Sequence, residues 1–329
     1  MSKPRISIVG LGAIGKAIGQ TLCAVGGQLE VMGHDRDPAI AREAQRLGAV
    51  TRVHWNLVEA CDGADVVIIA IPLQDIRATL HALASDLKPG CLVMDTANLK
   101  LPVLAWADEV LPEQVSFVGG DPIVNKHTQY ECPSDESQSH RSDLLKGALF
   151  CLSPSVRASA ESIHLASDVV RLLEAKPYFL DAAEHDGLVA GVEHLPAMLA
   201  LSLMRALSVE PSWRDIRKMG GPLFEDTARV LSQDAATLVE ALSLNRDNVT
   251  RLLDNWVEVL YGMREMLGSQ DSAGLQQITE AATTAYQHWL KDRGVGLWEK
   301  PQGPEIPPGG GFLGRMLGVH GRDESRKQS

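Results

Sequence analysis

Three shortages in the sequence narrow what the chain can be. Paired cysteines are missing: Cys23, Cys61, Cys91, Cys132 and Cys151 are scattered, odd in number and never spaced C-x-x-C. No disulfide framework fits such a set. Three of the five fall in segments patterned as core helix or strand, so reduced, buried thiols in a cytoplasmic protein are expected. Long apolar runs are also missing, none approaching the roughly 20 residues of a membrane span. With the first strand beginning at Arg5, no signal or transit peptide is expected. Positive charge is scarce, since 31 Lys and Arg against 42 Asp and Glu leave a formal net charge of −11. That balance disfavours nucleic acid and anionic membrane surfaces as partners. An anionic ligand would have to be captured by local Arg or Lys.

What is present is ample material for two globular domains: 329 residues, 45% hydrophobic and 22% charged. The informative stretch comes first. Arg5 to Val9 reads as a β-strand, Gly10-Leu11-Gly12-Ala13-Ile14-Gly15 as a glycine turn, and an apolar helical pattern follows through Leu22 and Val25. Strand, tight turn and helix in that order suit a dinucleotide pyrophosphate. Gly10 permits the turn, Gly12 lets backbone N–H groups approach phosphate, and Gly15 lets helix and strand pack closely. A second strand, Leu29 to Gly33, ends at His34-Asp35. A carboxylate there would accept the ribose hydroxyls of NAD and repel a 2′-phosphate. Arg36 beside it leaves NADP open.

Along the chain, Pro38 to Leu47 reads as a helix. Asp65 to Ile71 is a nearly continuous apolar run stopped by Pro72, as expected for a parallel strand covered on both faces. Ile76 to Leu87 has helical spacing. Cys91 to Asp95 and Val115 to Val118 are further strands, the latter closing on Gly119-Gly120-Asp121-Pro122, and Ala148 to Leu152 is the last of this domain. Alternating strands and helices predict a doubly wound, Rossmann-type parallel sheet over residues 1–153. Ligands of such sheets lie beyond the carboxyl ends of the strands, which gathers Gly10–Gly15, Asp35, Ile71-Pro72, Asn98 and Asp121 on one edge. Between them and Ala148, Asn125 to Asp143 reads as a polar loop or lid. Its His127, Cys132 and His140 fit no standard metal spacing, so no metal is expected.

From Val156 helical periodicity takes over, at about Arg157–Glu174, Ala183–Leu207, Pro222–Leu231, Ala235–Leu244, Asp247–Leu267 and Ala273–Lys291. One short strand, Pro177 to Leu180, should rejoin the sheet. A mostly helical second domain is expected over 154–293, with a Pro- and Gly-rich disordered tail over 294–329. The helix Ala183–Leu207 is apolar on most sides (Leu188, Val189, Val192, Leu195, Leu199, Leu203), as in burial between helices or against a second copy. A homodimer is the expectation.

Several stretches together resemble the prephenate and arogenate dehydrogenase family. They are the glycine turn, Asp95-Thr96-Ala97-Asn98-Leu99-Lys100, Gly119-Gly120-Asp121-Pro122, Glu184-His185-Asp186, Glu193-His194-Leu195-Pro196 and Asp226-Thr227-Ala228-Arg229-Val230, in the family's order over residues 5–290. The resemblance implies a nucleotide-binding domain followed by an all-α dimerisation domain. It also implies oxidative decarboxylation of a small anionic cyclohexadienol acid, with loss of carbon dioxide. Arg229 then holds a substrate carboxylate, His194 touches substrate, and Lys100 neutralises charge beside the nicotinamide or holds its loop. The departures matter equally. Asp121 stands where the family has a catalytic histidine, Asn98 where it has a serine, and Ala197 where a second histidine follows Leu-Pro. An arginine common after the glycines is replaced near Phe224-Glu225. Asp121 is the candidate proton acceptor, although a solvated carboxylate is a weak base unless burial raises its pKa.

His185 lies nine residues before His194, on the opposite side of a straight helix, so His185-Asp186 reads as a structural helix-start pair. The expected protein is an NAD-dependent dehydrogenase, with Asp121, Asn98, His194 and Arg229 as its substrate site. One rival is a dehydrogenase of the same fold acting on another hydroxy or amino acid, and another is a dinucleotide-binding protein without turnover. The β-hydroxyacid dehydrogenases rank last, because they place a lysine on the long inter-domain helix and none occurs from Ala183 to Leu207.

Overall fold

The computed structural model describes residues 3–25, 28–124, 144–232 and 234–295. Eight strands, β1 (Arg5–Val9), β2 (Glu30–His34), β3 (Arg52–Val53), β4 (Val66–Ile69), β5 (Leu92–Asp95), β6 (Ser116–Ile123), β7 (Leu149–Pro154) and β8 (Lys176–Phe179), form one sheet. Their order is β3-β2-β1-β4-β5-β6-β7-β8. All neighbours are parallel except β6 and β7, which pair antiparallel from Val118↔Pro154 to Ile123↔Leu149. β8 rejoins the sheet beside β7, as its short apolar pattern predicts.

Alternation along the strands feeds two cores. Ile6, Ile8, Val66, Ile68, Leu92 and Met94 face one side, against helices α1 (Ala13–Ala24) and α6 (Ala160–Leu172). Val9, Val67, Ile69 and Val93 face the other, against α4 (Leu73–Leu83) and α5 (Leu101–Val110). Helices cover both faces, which is why β4 reads as an unbroken apolar run. Two shorter helices, α2 (Pro38–Arg46) and α3 (Leu57–Cys61), complete the N-terminal half. The Asp37 carboxylate accepts the Ala39 N–H to cap α2, and Asn56 Oδ1 accepts from Glu59 to cap α3. Cys23, Cys61, Cys91 and Cys151 are free thiols, and burial pushes Cys61 and Cys91 up to about 12.

The helical half runs through α7 (Ala182–Val189), a π-helical turn (Ala190–His194), α8 (Leu195–Ser208), α9 (Trp213–Ile216), α10 (Pro222–Ala228), a 3₁₀ turn (Arg229–Ser232) and α11 (Ala235–Leu244). It continues into α12 (Arg246–Gly268) and α13 (Ser272–Val295). By contact density the described chain divides after Asn245: one unit holds the sheet and the helices through α11, and α12 and α13 make up the other.

One sequence expectation needs correction here. Residues Ala182–Ser208 form a continuous helical stretch of 27 residues whose best window has mean hydropathy 1.5, long and apolar enough to cross a membrane by length and composition. No uninterrupted apolar run reveals it, because Glu193 and His194 sit in its middle. Its inner side is committed to the strand ends, where His185, Asp186 and His194 are each no more than 2% exposed. The lid and metal readings for 125–143, including His127, Cys132 and His140, fall outside the described residues. So do Cys132 and the tail from 296.

Candidate active site

At the glycine turn, Gly10 takes φ +91 and donates its N–H to the His34 carbonyl at 2.8 Å, locking β1 to the end of β2. A side chain at Gly10 would strike the Ala70 carbonyl, and one at Gly15 the Gly10 carbonyl. At Gly12 a Cβ would meet no protein atom within 4 Å. Nothing in the protein demands glycine there, which suits a position kept open for close backbone approach by a ligand. No side chain caps α1, so the N–H groups around Ala13 and Ile14 keep free donor capacity. Asp35 closes the other side, its Oδ2 accepting the Leu11 N–H at 2.8 Å and its Oδ1 the Asp37 N–H at 2.9 Å. Gly10, Gly12, Asp35, Ile71, Pro72 and Asp75 wall a cleft of about 480 Å³. Arg36 sits at its edge with its guanidinium 3.3 Å from Asp75 and its side chain 83% exposed. Two carboxylates at this end oppose a 2′-phosphate, and the residues fit NAD.

A second cleft, of about 220 Å³, shares Ile71 and Pro72 with the first and adds Ile14, Asn98, Asp121, Glu193 and His194. Ala197, Val230, Leu238 and Ala241 give it an apolar flank. Asn98 and Asp121 arrive at the ends of β5 and within β6, as the strand-end rule requires, and Glu193 and His194 come from the π turn. Asn98 Nδ2 donates to Glu193 Oε2 at 2.7 Å.

Beneath Asp121 lies a buried polar chain. His185 Nε2 is 3.2 Å from Asp121 Oδ2, and its Nδ1 is 3.0 Å from Asp186 Oδ1. Asp186 also accepts the Lys100 and Leu101 N–H groups at 2.7 and 2.9 Å, capping α5 from α7. Burial alone would strip the His185 proton, but the hydrogen bonds to Asp121 and Asp186 prevail and hold the imidazole up to about 11. His185 is therefore a cation clamped between two carboxylates. His194 is its opposite. Burial lowers it, against the pull of Asp186, so its imidazole is neutral. Asn245 Nδ2, anchored on the Asp186 carbonyl at 2.8 Å, lies 3.2 Å from His194 Nδ1. An amide N–H there requires Nδ1 to accept, which puts the imidazole proton on Nε2. That Nε2 is buried without a partner among the described residues, a donor kept for something else. Glu193 is pushed up to about 7 by burial and then by the Asp121 charge, while the Asn98 amide and His185 pull the other way.

Three sequence readings change. Lys100 does not face the cleft. It is fully buried, ion-paired with Asp95 and donating to the Gly120 carbonyl at 2.7 Å, so it ties β5 to β6. Burial pushes Asp95 up and Lys100 draws it back. Arg229 is not brought into the cleft either. Where α10 gives way to the 3₁₀ turn, Val230 takes the wall and the Arg229 guanidinium pairs with Asp226. The third concerns His185 and His194, which do reach the same region. Pro196 has no N–H for the Val192 carbonyl, and the helix takes up the irregularity as a π turn. One extra residue in that turn makes nine positions advance like eight, roughly 80° apart instead of 180°.

With this geometry in place, comparison with known proteins decides the family. Residues 18–179 match the prephenate dehydrogenase nucleotide-binding domain and residues 181–280 the prephenate dehydrogenase dimerization domain. The chain belongs to the prephenate dehydrogenase family. Among relatives, prephenate dehydrogenase of Bacillus subtilis (strain 168) is 25% identical over 275 residues, 83% of this chain and 72% of that protein. Cyclohexadienyl dehydrogenase of Zymomonas mobilis is 23% identical over 268 residues, covering 81% and 89%. The fold matches that of A. aeolicus prephenate dehydrogenase, solved with hydroxyphenyl propionate and NAD+, at a TM-score of 0.76 with 21% identity, over 87% of this chain and 99% of that one. Synechocystis arogenate dehydrogenase matches at 0.70 with 22% identity, over 87% and 99%.

Sequence reasoning missed two residues of this prephenate dehydrogenase family site. His185 was set aside because a straight helix turns it away, and its partner Asp121 lies 64 positions distant. Glu193 lies inside the Glu193-His194-Leu195-Pro196 motif, yet nothing local marks it as half-buried and hydrogen-bonded to Asn98.

Proposed function

We propose that the protein is an NAD-dependent dehydrogenase that oxidises and decarboxylates a cyclohexadienol acid of the prephenate or arogenate class. Gly10–Gly15, Asp35, Ile71 and Pro72 would hold the dinucleotide, which when bound supplies the two-electron acceptor. In the adjoining cleft the apolar side chains of Ala197, Val230, Leu238 and Ala241 suit a six-membered carbon ring and exclude water from it. The His194 Nε2–H donates to the ring oxygen as it gains carbonyl character, a role that a neutral imidazole fills without supplying a proton. Arg229, next to the cleft-wall residue Val230 but outside the cleft as it stands, would swing in to take a substrate carboxylate in place of Asp226, a swap of like partners that a bidentate guanidinium suits. Asp121 remains ion-paired with His185 and sets the electrostatics of the cleft floor.

The observation that carries this reading is the orphaned, buried Nε2 of His194 in a cleft that shares Ile71 and Pro72 with the glycine-turn cleft. Further support comes from the relatives, named as prephenate and cyclohexadienyl dehydrogenases. The helical half would form a homodimer, its exposed Leu188, Val192, Leu199 and Leu201 supplying apolar surface for a second copy. The free, buried thiols suit the cytoplasm. Purified protein should bind NAD in calorimetry and produce NADH absorbance with prephenate or arogenate. Tight NAD binding with neither acid oxidised, while another hydroxy acid is, would overturn the substrate assignment. Binding without turnover of any such acid would leave a dinucleotide-binding protein.

A further inference from the structure

A base is missing from the site as usually built in this family, because Asp121 replaces the catalytic histidine and is itself engaged. Its Oδ2 is taken up by the His185 imidazole 3.2 Å away, on the buried side away from the cleft's free space. His185 has both nitrogens committed to carboxylates. His194 carries its proton on Nε2 and has its other nitrogen occupied by Asn245, so it can donate into the cleft but not accept. Lys100 is sealed behind the sheet against Asp95.

One titratable side chain in the cleft wall is left. Glu193 lies in the π turn that also aims His194, and Asn98 fixes its carboxyl through Oε2. Its Oε1 has no partner among the described residues. We propose that Glu193 is the catalytic base that takes the proton from the substrate ring hydroxyl, the imidazole's task having passed from the strand to the helix. This rests on the dehydrogenase reading above. As the carbinol carbon is oxidised by two electrons, which the dinucleotide takes up with the hydrogen, the hydroxyl O–H bond breaks and its proton passes to the Glu193 carboxylate. Carbon dioxide then leaves, and the electron pair of the broken C–C bond completes the aromatic ring. The same proton returns to the resulting phenolate oxygen, so Glu193 ends as it began and no net proton is released.

The surroundings suit the task. Asp121 on β6 adds negative charge that favours the protonated carboxyl, while Asn98 on the loop after β5 and His185 on α7 favour the anion. His194 beside it is neutral. The balance lies near 7, where a base is half ionised at working pH and retains proton affinity. Activity should therefore rise with pH through about 7, as the carboxyl loses its proton.

The test compares wild type with Glu193→Gln and Glu193→Asp, using full-length protein. For Glu193→Gln, kcat should fall by about 100-fold or more, with KM and NAD affinity held within about threefold and the limb of the pH profile near 7 gone. Glu193→Asp should recover part of kcat and show a displaced limb. Infrared titration of the protein without substrate should show a carboxyl band changing near pH 7 that is absent in Glu193→Gln, a readout independent of turnover. A Glu193→Gln enzyme that keeps both its rate and the limb would overturn the proposal. So would a loss confined to KM, which would make Glu193 a recognition residue. If wild type oxidises neither acid, the dehydrogenase reading falls and takes this role with it. If wild type is active and the variant indifferent, only Glu193 is dismissed.

Discussion

His185 shows how far partners can move a side chain from its ordinary chemistry. Its folded pKa, about 11, lies above the unfolded value of 6.5, so its stabilisation is fully present below about pH 6.5 and is lost as pH rises toward 11. His185→Asn should cost on the order of 3–5 kcal/mol near neutrality, because it leaves two buried carboxylates without their cation. Urea denaturation at several pH values checks both statements, the variant losing less stability than wild type between about pH 7 and 11. Arg229 poses the reverse question, since its Asp226 partner is 66% exposed and such surface pairs contribute little. If the guanidinium exchanges that partner for a substrate carboxylate, Arg229→Ala should raise KM roughly 10- to 100-fold with kcat little changed. Steady-state kinetics decides it, and an unaltered KM would return Arg229 to surface structure. Neither role is visible in isolation. A histidine in a helix and an arginine after an acidic residue are common, and it is burial that separates the clamped cation from the exchangeable one.

Among the elements, the π turn Ala190–His194 does the most to shape the site. Sequence periodicity predicts one long helix here, and the helix does run from Ala182 to Ser208, but with a register break that periodicity alone does not reveal. The clue was Pro196, which leaves the Val192 carbonyl without its helical donor. That break brings Glu193 and His194 to the cleft while His185 and Asp186 stay against the strand ends. Pro196→Ala restores the N–H for the Val192 carbonyl and should let the turn relax to a regular α-helix, rotating the two halves by roughly 100° relative to each other. Turnover should be abolished while NAD affinity, set by the glycine turn and Asp35, persists. Calorimetry beside an NADH assay checks this, and retained turnover would show that the turn is incidental. β6 and β7 make a similar point. The apolar pattern ends at Val118, yet β6 runs on through Gly119, Gly120 and Asp121 because antiparallel pairing with β7 continues the ladder. Asp121 is thereby held on a strand instead of in a loop.

On the scale of the whole molecule, the parallel sheet and its two cores account for the nucleotide cleft, and the helical half carries the remaining side chains of the site. The same helical half leaves Leu199 and Leu201 41% and 43% exposed. If these form the surface for a second copy, the double substitution Leu199→Glu and Leu201→Glu should shift the protein from dimer to monomer in sedimentation velocity. NAD affinity should be unchanged. A wild-type monomer would remove the premise. The formal charge of −11 makes such association a matter of local apolar area, since copies of this chain repel at long range.

The sequence by itself determined the strand–glycine turn–helix opening, the alternation that puts core on both sheet faces, and the edge on which ligands gather. These are local or periodic features, set by neighbours a few residues apart. Tertiary structure alone decided that Lys100 is a buried tie to Asp95, that His185 is a cation between Asp121 and Asp186, and that Glu193 rests on Asn98, 95 positions away. Burial and partner distance set the charge and direction of a polar side chain, and both are properties of the folded chain.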